Sequence, residues 1–223
     1  MPFHWPWQRR PEPPAFYRNY LAHFAAPPPP TTPIEELRFV VFDTETTGLN
    51  PRRHRLLSIG AVSCQYSTIA VGETFDLLLQ TPDDARQTAD AITVHGIVPG
   101  QQEALPEADA VALFLHYCRD AVLVGHHVAF DVAMINGALA RLGAGPLKNA
   151  QVDTMQLARR VNPPREGTPP GHFNLDHLAR EYHIPLSDRH TAAGDAYITA
   201  VLMLKLLARL RKRGVLTLRD LLR

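Results

Sequence analysis

Two acidic residues follow the first apolar segment of the chain. Leu37 to Phe42 is apolar apart from Arg38, which is typical of a strand buried on both faces, and Asp43 and Glu45 come directly after it. Because side chains alternate across a strand, both carboxylates point to the same face. Like charges at this spacing repel each other unless a cation is present. The pair therefore predicts a cation site at the end of the strand.

Three further residues could complete this site. Asp131 begins the helix predicted after the fourth strand, and Asp195 lies in the last long helix, five residues after His190. Taken alone, Asp131 would most often cap a helix and Asp195 would be a solvated helical charge. Segments that leave neighbouring strand ends can converge, however. The joint arrangement favours one acidic cleft.

The donor types indicate the chemistry. Four carboxylates with no cysteine among them form a hard-oxygen site that suits Mg²⁺ or Mn²⁺ rather than zinc. Two such ions about 4 Å apart can activate a water and stabilise the leaving oxygen in phosphodiester hydrolysis. Histidine is the side chain best suited to act as base for that water near neutral pH, and His190 is the candidate.

The predicted elements around these residues give an α/β fold. Three strands come first with no helix between them, which implies a partly antiparallel sheet. We predict strands over 37–42, 56–64, 69–79, 121–124 and 151–153, and helices over 106–119, 131–142, 175–182 and 191–211, with one ending at 160 and a short one near 218. This order predicts a mixed five-stranded sheet flanked by helices.

The first 33 residues form an arm that differs from the main domain predicted over 34–223. The arm contains ten of the twenty prolines and both tryptophans. Phe16, Tyr20 and Phe24 recur every four residues after Pro13 and Pro14, which predicts a short amphipathic helix. This aromatic stripe either packs on the main domain or docks a partner protein, and the sequence leaves both alternatives open.

Composition indicates one packed domain and excludes several classes of protein. Hydrophobic residues make up 45% and charged residues 20% of the chain, as in ordinary globular proteins. The net charge of +1 argues against a protein that coats long nucleic acids, but not against one that grips a chain end. Cys64 and Cys118 are too few for a disulfide framework. With no bilayer-spanning apolar run and no recognisable signal peptide, we expect a cytoplasmic protein without a membrane partner.

Three motifs in this chain resemble those of the DEDD exonucleases, in the branch that contains a histidine. The first reads Asp-Thr-Glu-Thr-Thr-Gly at 43–48, the second reads Gly-His-His-Val-Ala-Phe-Asp at 125–131, and the third reads His-Thr-Ala-Ala-Gly-Asp-Ala at 190–196. The resemblance covers about 39–207 and is strongest to the epsilon proofreading subunits of bacterial DNA polymerase III. All three motifs occur in the family's order, with all five catalytic residues present.

The resemblance implies a ribonuclease H-like fold and a role for each of the five residues. Asp43 would bridge two Mg²⁺ or Mn²⁺ ions. Glu45 and Asp195 would hold the ion on the nucleophile side, and Asp131 would support the second ion. His190 would be the general base.

Substrate contacts are also implied by the resemblance. Thr46 belongs to the first motif, and His95 lies in a segment similar to the loop that receives the terminal nucleotide. Phe130 is a candidate for stacking on a base, although an aromatic beside a core helix more often packs. His127 departs from the family, which usually has asparagine there.

Three functions are compatible with these features. The leading hypothesis is a 3'–5' exonuclease that releases nucleoside 5'-monophosphates from single-stranded or frayed DNA ends in proofreading or repair. An RNA-trimming enzyme of the RNase T or oligoribonuclease type shares the same metal site. A third hypothesis is a module that docks to a polymerase or another replication protein through its N-terminal arm. Because only about ten residues follow the last long helix, we expect no epsilon-type polymerase-binding tail.

Three other histidines lie close together in the sequence. His172, His177 and His183 have a spacing that fits no familiar zinc pattern, and exposed or helix-end positions account for them more simply. We therefore predict no third metal.

Overall fold

The computed structural model describes residues 12–81, 97 and 103–223, and their strands form one mixed sheet. The strands are β1 (Phe39–Thr46), β2 (Leu56–Gln65), β3 (Thr68–Ile69), β4 (Phe75–Leu78), β5 (Val122–Gly125) and β6 (Gln151–Asp153). Their order is β3-β2-β1-β5-β6, with β4 also paired to β2. β1 runs antiparallel to β2 and parallel to β5, and β5 runs parallel to β6. The strand that carries the acidic pair is therefore central.

The predicted mixed sheet flanked by helices is confirmed, but the described sheet has six strands where five were predicted. Segment 69–79, predicted as one strand, is divided by a 3₁₀ turn at Val71–Glu73 into β3 and β4. Both pieces pair antiparallel with β2, with Ile69 opposite Cys64 and Leu78 opposite Ser58. Gly72 has no side chain to pack on a sheet, which favours a break at this point.

Helices cover both faces of the sheet. One face carries α1 (Ala15–Ala22), α2 (Glu107–Cys118) and α3 (Val128–Arg141), and the other carries α4 (Thr154–Val161), α5 (Leu175–Glu181), α6 (Ala192–Arg211) and α7 (Leu218–Leu221). Alternation along β1 places Val40 and Phe42 in the first layer and Phe39 and Val41 in the second. Among the described residues, no helix combines the length and apolar character that a membrane span requires.

α3 begins earlier than the sequence pattern predicts. Its first residue is Val128 rather than Asp131, because His127 takes a left-handed conformation with φ of 64° and turns the chain directly from β5 into the helix. Asp131 is consequently one turn inside the helix. Its carboxylate still lies within the turn where the helix dipole favours negative charge.

The aromatic face of α1 packs on the main domain. Tyr17 and Tyr20 are buried, and Phe16 and Phe24 are partly buried against the same core as α2 and α3. The Tyr17 hydroxyl donates to the carbonyl of Pro146 at 2.8 Å. Of the two alternatives for the aromatic stripe, the structure shows the one in which the chain covers it.

We expect Tyr20→Phe to lower the free energy of unfolding by about 1–3 kcal/mol, because the change leaves a buried acceptor and a partly buried donor without the hydroxyl. The Tyr20 hydroxyl donates to Oδ1 of Asn149 at 2.6 Å and accepts from the N–H of Lys148 at 2.7 Å. Tyr17→Phe is the matched control, since it removes a single, partly exposed hydrogen bond. Urea unfolding measures the free energy of unfolding of both variants. Equal losses in the two variants would contradict the greater contribution expected from the Tyr20 hydroxyl.

Candidate active site

The end of β1 presents alternate side chains to the two layers of the fold. Asp43 and Glu45 face the layer of α6, and Thr44 faces the layer of α3, where it contacts Asp131. β5 pairs with β1 only from Phe39 to Val41, so within the described chain the rest of this strand edge has no strand partner on that side. The strand end is therefore open to side chains from both layers.

Asp131 occupies part of this open edge. One carboxylate oxygen accepts from the backbone N–H of Thr44 at 3.0 Å and from its hydroxyl at 2.6 Å. The side chain is buried, with 4% of its surface exposed. The carboxylate thus supplies the hydrogen bond that a neighbouring strand would otherwise provide, and it fixes the position of the residue between Asp43 and Glu45.

Asp195 enters the site from the first turn of α6. Thr191 caps this helix by accepting from the N–H of Gly194 at 3.1 Å. The helix start lies directly against β2, because a Cβ added to Gly60 would stand 2.1 Å from the backbone of Ala192. Gly60 is the residue opposite Asp43 in the strand pair. The missing side chain allows the helix to bring its acid to the end of β1.

Asp43, Glu45 and Asp195 form a group whose candidate ligand atoms all lie within 4.8 Å of one another. One oxygen of Asp195, Oδ1, is buried and has no hydrogen-bond partner among the described residues. A buried carboxylate oxygen without a donor is unfavourable unless a cation compensates it. The donor set and this free oxygen fit a divalent cation held by oxygen ligands.

Burial raises the pKa of every acid in the cleft, and repulsion from the neighbouring cleft carboxylates adds to it at Asp43 and Glu45. Burial is the main cause for Asp43, whose pKa lies well above its ordinary value, and the charges of Asp131 and Asp195 add to it. Burial followed by the same kind of repulsion raises the pKa of Glu45 to about 7. Burial also raises the pKa of Asp131 to about 7, against the opposing hydrogen bonds from Thr44. When no cation is bound, the cleft therefore favours the protonated forms of these acids more than water does.

Arg189 is a functional candidate that the sequence reasoning missed. Its Nε donates to Asp176 of α5 at 2.6 Å, and its Nη1 donates to Oδ2 of Asp195. The same Nη1 lies 3.5 Å from Nδ1 of His190. The signal available in the sequence was its position directly before His190. Burial raises the pKa of Asp195, and the positive charge of Arg189 opposes this rise.

His190 lies at the rim of the cleft. It is exposed, takes a left-handed backbone conformation with φ of 68°, and lines a cavity of about 330 Å³ together with Ser58, Asp76 and Glu103. Its ring is not within the group formed by the three acids. The cavity leaves room for a substrate between the histidine and β4.

The predicted substrate contacts lie in different settings. Thr46 is buried and its hydroxyl donates to the carbonyl of Gly48 at 3.0 Å, so this group supports the turn after β1. Phe130 is partly buried and packs on the core under α3. His127 is exposed and its backbone N–H donates to Asp153 at 3.3 Å. His95 lies outside the described residues.

Comparison with known proteins gives one family and two groups of relatives. The family model described as Exonuclease (RNase_T) matches residues 40–203. The chain is 29% identical over 185 residues to DNA polymerase III PolC-type of Staphylococcus aureus (strain bovine RF122 / ET3-1), and 29% identical over 189 residues to that of Staphylococcus haemolyticus. These matches cover 82% and 84% of this chain but only 12% of each relative.

Solved structures of Exonuclease I share the fold. The E. coli enzyme in complex with a dT13 oligonucleotide has a TM-score of 0.70 at 22% identity, over 80% of this chain and 43% of that chain. A product-bound Exonuclease I has a TM-score of 0.69 at 23% identity, over 83% of this chain and 45% of that chain. The described sheet and helices therefore follow a known exonuclease architecture.

We expect Gly194→Ala to lower the free energy of unfolding by about 1–3 kcal/mol through overpacking, although alanine is the better helix former. A Cβ at this position would stand 2.0 Å from the carbonyl oxygen of Asp188, which belongs to the loop that carries His190. Gly72→Ala is the control, because a Cβ there meets nothing within 4 Å. Guanidinium unfolding that shows no difference between the two variants would refute the close contact.

The raised acid pKa values link stability to pH. Because folded Glu45 holds its proton up to about pH 7, against an ordinary value of 4.5, the folded state binds more protons in this window, and stability falls as pH rises through it. In EDTA, we expect the wild type to lose about 1–3 kcal/mol relative to Glu45→Gln between about pH 5 and about pH 7.5. His126, whose pKa burial lowers to about 4, contributes equally to both proteins. Thermal unfolding of both proteins across this pH range measures the difference. Parallel curves of stability against pH for the two proteins would contradict the raised pKa of Glu45.

Proposed function

The chain belongs to the RNase_T exonuclease family, and from this premise we propose that it is a metal-dependent 3'–5' exonuclease acting on DNA. It would hydrolyse the last phosphodiester bond of a strand and release a nucleoside 5'-monophosphate. The observation that carries the proposal is the group of Asp43, Glu45 and Asp195. Its candidate ligand atoms lie within 4.8 Å of one another, and one buried oxygen has no partner among the residues that the structure describes.

The acids are proposed to hold two divalent ions, Mg²⁺ or Mn²⁺. Asp43, Glu45 and Asp195 would bind through the oxygens that face one another, and Asp131 would contribute the oxygen that Thr44 does not engage. When bound, such ions lower the pKa of water and neutralise charge that develops on the phosphate. Their positive charge would also favour the ionised forms of these carboxyl groups, whose pKa values are raised in the cleft.

His190 is proposed to take a proton from the attacking water. The new bond forms between the water oxygen and phosphorus, and the bond between phosphorus and the 3'-oxygen of the preceding nucleotide breaks. That oxygen receives a proton and becomes the new 3'-hydroxyl. The exposed position of His190 beside a cavity suits a base that must reach a solvent-derived nucleophile and return its proton to solvent.

DNA is the substrate class that the relatives favour. The PolC-type relatives are named as DNA polymerases, and the Exonuclease I structure contains a dT13 oligonucleotide. We therefore propose single-stranded or frayed DNA as the substrate, in proofreading or repair, with a DNA polymerase as the partner class. The net charge of +1 suits an enzyme that grips a strand end rather than a long stretch of backbone.

Matched DNA and RNA oligonucleotides, labelled at the 5' or 3' end, test this proposal with Mg²⁺, Mn²⁺ or EDTA. We expect 5'-labelled DNA to give a ladder of single-nucleotide steps that EDTA abolishes. Asp43→Asn should abolish the ladder, and His190→Ala should slow it about 10²-fold or more. His183→Asn is the matched control for an exposed histidine outside the cleft, and circular dichroism confirms that each variant is folded.

Each outcome of this assay has a distinct meaning. Loss of the 5' label as mononucleotide would reverse the proposed polarity. Faster degradation of RNA than of DNA would assign the RNA-trimming alternative to the same site. Activity that persists in EDTA or in Asp43→Asn would refute the proposed role of the acids.

A further inference from the structure

A second group of metal-binding side chains lies on α5 and the turn before it. His177 and Glu181 are one helical turn apart on α5, with Nε2 of the histidine 3.9 Å from Oε2 of the glutamate. The ring of His172 lies 4.6 Å from that of His177. One ligand atom from each of the three residues lies within 4.8 Å of the other two. We propose that His172, His177 and Glu181 form a zinc site separate from the acidic cleft.

The ligand set selects zinc over the ions proposed for the cleft. Two imidazoles and one carboxylate suit Zn²⁺, whereas Mg²⁺ prefers oxygen ligands alone. A tetrahedral Zn²⁺ with bonds of about 2.1 Å holds its ligand atoms about 3.4 Å apart, so the group must contract slightly. His177 and Glu181 can move, because 44% and 32% of their side-chain surfaces are exposed. The same exposure gives the ion a path from solvent and leaves a fourth position for water.

Neighbouring residues orient the ligands. Asn162 donates to Oε1 of Glu181 at 3.2 Å, which leaves Oε2 on the side of His177. The ring of His172 meets Phe173 edge to face at 4.8 Å, and Arg159 lies over the same phenylalanine at 5.3 Å. Such outer contacts hold metal ligands in position and raise their affinity.

The proposed ion would join a surface loop to the helix that follows it. His172 belongs to the segment 162–174, which is rich in proline and glycine and includes a turn in which the His172 N–H donates to Pro169 at 3.2 Å. A bond from this loop to α5 would restrict its motion. α5 also carries Asp176, the partner of Arg189, so the ion would stabilise the helix that holds this arginine at the acidic cleft.

The spacing of the histidines alone does not indicate the proposed site, because the third residue of the group is a glutamate. His183 follows the end of α5 with φ of 52° and is exposed, and it is not part of the group. Glu181 takes its place, and a glutamate four residues after a histidine on a helix most often signals only a solvated pair. The prediction of no third metal rested on the spacing of the three histidines, which does not take Glu181 into account.

Calorimetric titration of the full chain with Zn²⁺, in excess Mg²⁺ to occupy the acidic cleft, tests the proposal. We expect one equivalent to bind, with affinity reduced at least about tenfold in His177→Ala and in Glu181→Gln. His183→Asn should bind as the wild type does, and Asp43→Asn should keep the site. Unchanged thermal midpoints of the two ligand variants in EDTA establish that they remain folded.

Two results would overturn the proposal. One is the absence of saturable Zn²⁺ binding in excess Mg²⁺. The other is binding that survives both ligand substitutions but is lost in Asp43→Asn, which would place the zinc in the acidic cleft. Neither result depends on exonuclease activity. Failure of the zinc proposal would therefore leave the proposed function unaffected.

Discussion

The partial burial of neighbouring carboxylates at the end of one central strand, together with their mutual repulsion, is the constraint on which the rest of this structure depends. Asp43, Glu45 and Asp195 lie close together in a cleft that burial makes unfavourable for charge, and each has a raised pKa. The surrounding fold supplies partial compensation. Thr44 donates twice to Asp131, and Arg189 binds Asp195. These contacts reduce the repulsion, but one oxygen of Asp195 has no partner within the described part of the chain, and this free oxygen makes the site receptive to a cation.

Much of this arrangement could be predicted from the sequence. The apolar run before Asp43 predicted a strand buried on both faces, and the spacing of two residues placed Asp43 and Glu45 on one face. The order of strands and helices gave the mixed sheet. These features depend on periodicity and on residues close in sequence, for which local rules are sufficient.

Other features depend on contacts between distant segments and could not be predicted. The division of segment 69–79 into β3 and β4 follows from pairing along β2. The hydrogen bonds from Thr44 to Asp131 join residues 87 positions apart. The contacts of Arg189 form only because α5 and α6 bring Asp176 and Asp195 to its guanidinium group. Composition and residue spacing do not determine these particular contacts between distant segments.

The alternation at the end of β1 makes the length of this strand as important as its composition. Asp43 and Glu45 face one layer and Thr44 the other, so gain or loss of one residue within Phe39–Thr46 would exchange the two sets. The carboxylates would then turn toward α3 and the threonine toward α6. A change of length in the turn between β1 and β2 would leave both faces as they are.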